Sequence, residues 1–263
     1  MTPAGDARMT GLRLNAVEAG AGPPLVLLHG LFGAAQNWGT IQAALAPEHR
    51  VIALDLRNHG ASPHAAAMDY AAMAGDVAET LAALGVPRAA VLGHSMGGKV
   101  AMMLALMAPQ MVERLVVADI APVAYRPHLR GVVAAMQALA VAPGLTRRAA
   151  DAALAATIPE AGLRAFLLQN LRFDAAPAWR IGLAEIAAAM PVIEGFAPPA
   201  ARYARPVLFL AGERSDYISP DHAGAIAALF PAARQAVVAD AGHWLHAENP
   251  GGFLDALRPF LEA

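Results

Sequence analysis

The stretch VLGHSMGGKV, residues 91–100, sets a serine among three glycines at the end of an apolar run. Gly93, Gly97 and Gly98 are poor residues for the interior of a strand or helix and good ones for a backbone that turns sharply. The run before the turn is short and apolar. The run after it, KVAMMLALMAP, is long, rich in helix formers and stopped by Pro109. A serine at a tight turn between strand and helix is the context in which G-x-S-x-G presents a nucleophile. A serine hydroxyl attacks only when a neighbouring base takes its proton, so Ser95 needs an imidazole, and the imidazole needs a carboxylate to hold it. Three further loops offer working groups: HGLFG from His29 to Gly33, ADIAP with Asp119, and DAGHWLH with His243.

Each of these loops follows a short apolar run, and the runs alternate with longer helical stretches. PPLVLLHG, HRVIALDL, AAVLG, RLVVADI, RPVLFLAG and RQAVVADAG read as strands. GLRLNAVEAG at the start reads as another. Asp69 opens a helix carrying Met73, Val77, Leu81 and Leu84 at helical spacing, and GFLDALRPFLEA reads as the last helix. Continuous apolar strands separated by helices indicate a mostly parallel sheet covered on both faces, with its working loops beyond the carboxyl ends of the strands. The alternation breaks between about residues 124 and 205. That segment is helical throughout, with no convincing strand, and is too long for a connection inside a compact sheet. The expected organisation is a core of residues 1–123 and 206–263 with a helical cap inserted over 124–205.

Composition narrows the classes. The 263 residues suffice for one large α/β domain, and a net charge of -2 gives no basis for a nucleic-acid partner. Cysteine is absent, which excludes disulfides and thiolate chemistry and fits a reducing cytoplasm. MTPAGDARMT has no apolar stretch of the kind a secretory leader carries, and no window reaches the about 18 uninterrupted apolar residues of a membrane span. The 9 histidines show no H-E-x-x-H spacing, so neither a catalytic metal nor a cofactor is expected.

LLHGLFG, DLRNHGASP, GHSMGGKVAM and AGHWLHAENP, taken in this order, resemble the α/β-hydrolases over nearly the whole chain. DIAPV and the stretch LLQNLRFDAAPAWRIGL narrow the resemblance to the YbfF-type acyl esterases. The resemblance implies a mostly parallel eight-stranded sheet and a serine esterase acting on small to medium acyl esters or thioesters. Ser95 is then the nucleophile and His243 the base, with the backbone N–H groups of Met96 and Leu31 facing the oxyanion. Most α/β-hydrolases carry the acid where Asp216 lies, although Ser215 occupies the usual slot here. The YbfF type instead implies Asp119 as the acid with Ser215 as its helper, so both aspartates stand as candidates. Phe32, His94, Trp179 and Met190 are candidates for the substrate pocket, while His246 is a rival base and His59 reads as loop packing. Two other readings remain. Relatives with the same triad cleave C–C bonds, act as perhydrolases or run eliminations, and a non-catalytic ligand-binding protein could use the same fold. Oligomeric state is not legible.

Overall fold

In the computed structural model, which describes residues 11–263, runs of valine, leucine and isoleucine form the strands, and alanine- and leucine-rich stretches form most of the helices. In chain order the elements are β1 (Ala16–Ala19), β2 (Pro24–Leu28), α1 (Gly39–Leu45), β3 (Arg50–Leu54), α2 (Tyr70–Ala83), β4 (Ala89–His94), α3 (Met96–Met107) and β5 (Val112–Ala118). There follow α4 (Arg130–Ala138), α5 (Arg147–Ala155), α6 (Ala161–Leu167), β6 (Leu171–Arg172), β7 (Ala178–Trp179) and α7 (Leu183–Glu194). The chain closes with β8 (Val207–Gly212), α8 (Ala223–Leu229), β9 (Ala233–Val238), α9 (Leu245–Glu248) and α10 (Pro250–Glu262). The reading of the first ten residues as free of a leader falls outside the described part.

The main sheet runs β1-β3-β2-β4-β5-β8-β9, antiparallel at β1–β3 and parallel at every other pair. Its central strands are buried on both faces, because alternate side chains enter two separate cores. Val26, Leu28, Ile52 and Leu54 pack with Met73 and Val77 of α2 and Val100 of α3. Leu25, Leu27, Val51 and Ala53 pack with Trp38, Phe253 and Leu257 on the other face. Asp69 caps α2, its carboxylate accepting the Ala72 N–H at 2.7 Å.

The sheet has seven strands among the described residues, not eight. The expected first strand shrinks to β1 because the backbone before it finds side-chain partners instead of a neighbouring strand. Leu12 N–H donates to Asp76 Oδ1 at 2.5 Å and Leu14 N–H to Thr80 Oγ1 at 2.9 Å, both on α2. Between β5 and β8, which are adjacent and parallel in the sheet, the chain runs through α4 to α7. That stretch also holds an antiparallel ribbon, β6–β7, where no strand was expected. Two-residue strands are too short for any hydrophobic period to reveal. Among the described residues, no helix is long and apolar enough to cross a membrane.

Candidate active site

Ser95 is the single residue between β4 and α3, with φ 52° and ψ -120°. That region is strained for a residue with a Cβ, at a cost of about 1–3 kcal/mol, and it must be enforced by the surroundings. The Ser95 N–H donates to Ala118 O on the adjacent strand at 2.9 Å. The flanking glycines let α3 start directly against the strand ends. A Cβ on Gly93 would lie 2.1 Å from Gly97 O, and one on Gly97 would lie 2.4 Å from Leu28 O. Sharp turn and close approach together account for the glycine pattern of GHSMGG.

The sheet brings three of the expected groups to this bend. His243 Nε2 lies 3.1 Å from Ser95 Oγ. On the other side of the ring, His243 Nδ1–H donates to Asp119 Oδ2 at 2.7 Å. Asp119 follows β5 at φ 54° and is completely buried. Its Oδ1 accepts the Gly212 N–H at 3.0 Å, and the Ser215 hydroxyl donates to its Oδ2. Three donors converge on one carboxylate, which suits the ionised form and leaves His243 Nε2 as the acceptor for the serine proton. Asp216 is exposed, and the ring nitrogen it would need is already bonded to Asp119.

The imidazole is also braced from outside this chain of bonds. Tyr217 stacks on the His243 ring at 3.9 Å between centroids, with planes 19° apart. His94 Nε2–H donates to the His243 carbonyl at 2.7 Å and so pins the loop. Burial, reinforced by the neighbouring His243, holds the His94 pKa well below the usual value, so it remains neutral. His246 lies behind this pair, edge-on to His94 and against Trp38. Burial pushes its pKa down to about 4, and the hydrogen bond to Ser95 Oγ comes from His243, not from His246.

The loop HGLFG is held by two more neutral histidines. Leu56 N–H donates to His29 Nε2 at 2.9 Å, and His29 Nδ1–H donates to Gly30 O at 2.8 Å. Phe32, at φ 62°, donates its N–H to His59 Nε2 at 3.1 Å, and its carbonyl accepts from Asn170 Nδ2 at 2.8 Å. Burial pushes His59 down to about 3. His59 is therefore more than loop packing, because it fixes the residue next to Leu31. The Leu31 N–H takes no partner among the described residues, and Met96 opens α3, so its N–H has no intrahelical acceptor. Gly30 allows the close fit, since a Cβ there would stand 2.9 Å from His94 Nδ1 and 3.2 Å from Ser95 Cβ.

Two cavities meet at Ser95. The larger, about 690 Å³, has His243, Phe32, His94, Phe166 and Trp244 in its wall. The smaller, about 50 Å³, has Leu31, Met96, Met190, Tyr125 and Lys99 around it. Phe32, His94 and Met190 thus border space beside the serine, whereas Trp179 does not, a correction to the expected pocket. Trp179 sits on β7, paired with Leu171 in the ribbon, and packs half-buried against the core instead of bordering either cavity. Phe166, Tyr217, Trp244 and Lys99 also border these cavities, outside the expected pocket set. Only Lys99 carried a local signal, standing one helical turn after Ser95. Among the described residues, no group of three or more metal-ligating side chains converges.

Residues 23–250 match the alpha/beta hydrolase fold family. The chain is 42% identical over 251 residues to the sn-1-specific diacylglycerol lipase ABHD11 of Xenopus laevis, covering 92% of this chain and 80% of the relative. It is 39% identical over 239 residues to esterase YbfF of Escherichia coli strain K12, covering 90% of this chain and 92% of that one. Among solved structures, a marine microorganism esterase superposes with a TM-score of 0.92 at 35% identity, over 95% of this chain and all of the other.

Proposed function

The chain belongs to the alpha/beta hydrolase fold family, and from that premise we propose that it is a serine carboxylesterase cleaving acyl esters or thioesters through an acyl-serine intermediate. Ser95 Oγ attacks the acyl carbon while its proton passes to His243 Nε2. The negative charge that develops on the former carbonyl oxygen meets the N–H groups of Leu31 and Met96, with the start of α3 behind them. Asp119 keeps the proton of His243 on Nδ1 and stabilises the imidazolium, and Ser215 and the Gly212 N–H hold Asp119 in place. The imidazolium then protonates the leaving alcohol or thiol. In the second half, water gives a proton to His243 Nε2 and attacks the acyl carbon, and the imidazolium then returns that proton to Ser95 Oγ as the acid is released.

The observation that carries this reading is the continuous chain from Ser95 Oγ through His243 to Asp119, with contacts of 3.1 Å and 2.7 Å. Each contact uses the atom its chemistry requires. The relatives support the choice of ester chemistry, since they include an esterase and a diacylglycerol lipase. We read 124–205 as a cap, because His128, Leu129 and Phe166 from that segment wall the larger cavity. Substrates of small to medium acyl size suit the smaller of the two cavities at Ser95, about 50 Å³. The cysteine-free composition suits work in a reducing cytoplasm.

The test is a rapid-mixing experiment with p-nitrophenyl acetate. A burst of nitrophenol equal to the enzyme concentration, absent in Ser95→Ala, together with labelling of Ser95 by a fluorophosphonate, is the expected result. Turnover that survives Ser95→Ala would refute the acyl-enzyme.

A further inference from the structure

Lys99 is a buried cation that the proposed reaction does not use. The residue is 2% exposed, and Nζ donates to Gly195 O at 2.7 Å and approaches Glu194 O at 3.4 Å. The ammonium lies 5.0 Å from the centre of the Tyr125 ring and 5.6 Å from that of Tyr70. No carboxylate among the described residues pairs with it. The nearby Glu194 side chain turns instead to Arg130, with both oxygens at 3.0 Å from Nε. A buried ammonium held only by neutral carbonyls and ring faces is short of one anionic partner. Burial accordingly pushes its pKa down to about 7.

Its position says where such a partner would come from. Lys99 lies near the start of α3, four residues after Ser95. Both border the small cavity, together with Met96 and Leu31, whose N–H groups face the oxyanion in the proposed mechanism. His243 borders only the larger cavity. Because His243 must protonate the leaving oxygen, the leaving group belongs in the larger cavity and the acyl group in the smaller. At about 50 Å³ the smaller one has room for about three to five water-sized groups.

We propose that this chamber is an acyl subsite for a short acyl group ending in a carboxylate, a dicarboxylic half-ester or half-thioester, with Lys99 Nζ as the carboxylate's partner. The inference rests on the acyl-serine reading and names its substrate class. The distal carboxylate accepts from Nζ, the middle of the chain packs against Met190 and Ile120, and the scissile carbonyl lies at Ser95.

The experiment compares monoethyl succinate with ethyl pentanoate by ethanol release at pH 6.5, using the wild type, Lys99→Met and Lys99→Arg, with Tm measured for each. The wild type should favour the half-ester in kcat/KM by about tenfold or more, the scale of a hydrogen bond to a charged group. Lys99→Met should lose that preference, chiefly through KM, while ethyl pentanoate changes far less, and Lys99→Arg should keep part of it. In the wild type alone, succinate should inhibit competitively at concentrations where pentanoate does not. A wild-type preference for the neutral ester, or equal losses on both esters in Lys99→Met, overturns the subsite. Turnover of ethyl pentanoate without turnover of the half-ester sinks the subsite alone. Failure of both sinks the acyl-serine reading with it.

Discussion

Replacing Asp119 by asparagine tests the proposed charge chain at its most constrained point. The carboxylate accepts from three donors: the Gly212 N–H at 3.0 Å on Oδ1, and His243 Nδ1–H at 2.7 Å and the Ser215 hydroxyl on Oδ2. Asparagine has one accepting arm and one donating arm. If its oxygen keeps the Gly212 amide, its NH₂ faces His243 Nδ1, which must then accept. The ring proton moves to Nε2 and points at Ser95 Oγ, so no base remains for the serine. If the side chain flips, the NH₂ meets the buried Gly212 N–H, donor against donor, at a cost of about 1–3 kcal/mol. The first arrangement is favoured, and the expected loss in kcat is about 10⁴-fold, or about 5 kcal/mol of transition-state stabilisation. Asp216→Asn, at an exposed site, should leave kcat within about twofold. The assay is steady-state hydrolysis of p-nitrophenyl butyrate, with Tm taken for each variant to separate misfolding from lost chemistry. Asp119→Asn keeping more than a tenth of the activity, or Asp216→Asn falling as far, would refute the reasoning.

Removing the His59 ring should leave the buried Phe32 N–H without its acceptor, at a cost of about 1–3 kcal/mol. His59→Ala should therefore lower both Tm and kcat, because the loop carrying Leu31 loosens; an unchanged kcat would count against that coupling. Acid should destabilise the fold through its buried neutral histidines. The folded-state pKa of His59 is lowered to about 3 and that of His246 to about 4, while an unfolded chain takes up these protons near 6.5. The unfolded state thus binds more protons below pH 6.5. Stability falls from there towards pH 4, by up to about 1.4 kcal/mol per pH unit for each ring, and a Tm that stays level between pH 7 and 5 would contradict this.

The elements that could be read from residue order are those whose physics is local. Three glycines, a serine and a following helix former run dictate a sharp bend whatever surrounds it, and the strands announce themselves because burial on both faces demands unbroken apolar runs. Ser95 and His243 stood out for the same reason, each in a loop just after such a run. Which aspartate meets the imidazole is a different kind of question. Asp119 and Asp216 lie beyond the ends of neighbouring strands, and nothing along the chain sets their distances to His243. That choice is made by the hydrogen bond from the Asp119 N–H to Leu210 O, by the Gly212 amide, and by Ser215 occupying the turn where a carboxylate would otherwise reach in.

Tertiary packing likewise decided the wall of the site. Trp179 and Phe166 are both aromatic residues of one inserted segment, yet Trp179 packs against the core from the β6–β7 ribbon while α6 brings Phe166 to the cavity. Lys99 looked like a charge interrupting an apolar helix, and it became a buried ammonium only because Tyr70, Tyr125 and the end of α7 close around it. Hydrophobic period reports which face of an element is buried. What that face is buried against depends on contacts between residues a hundred positions apart, and those exist only once the chain has folded.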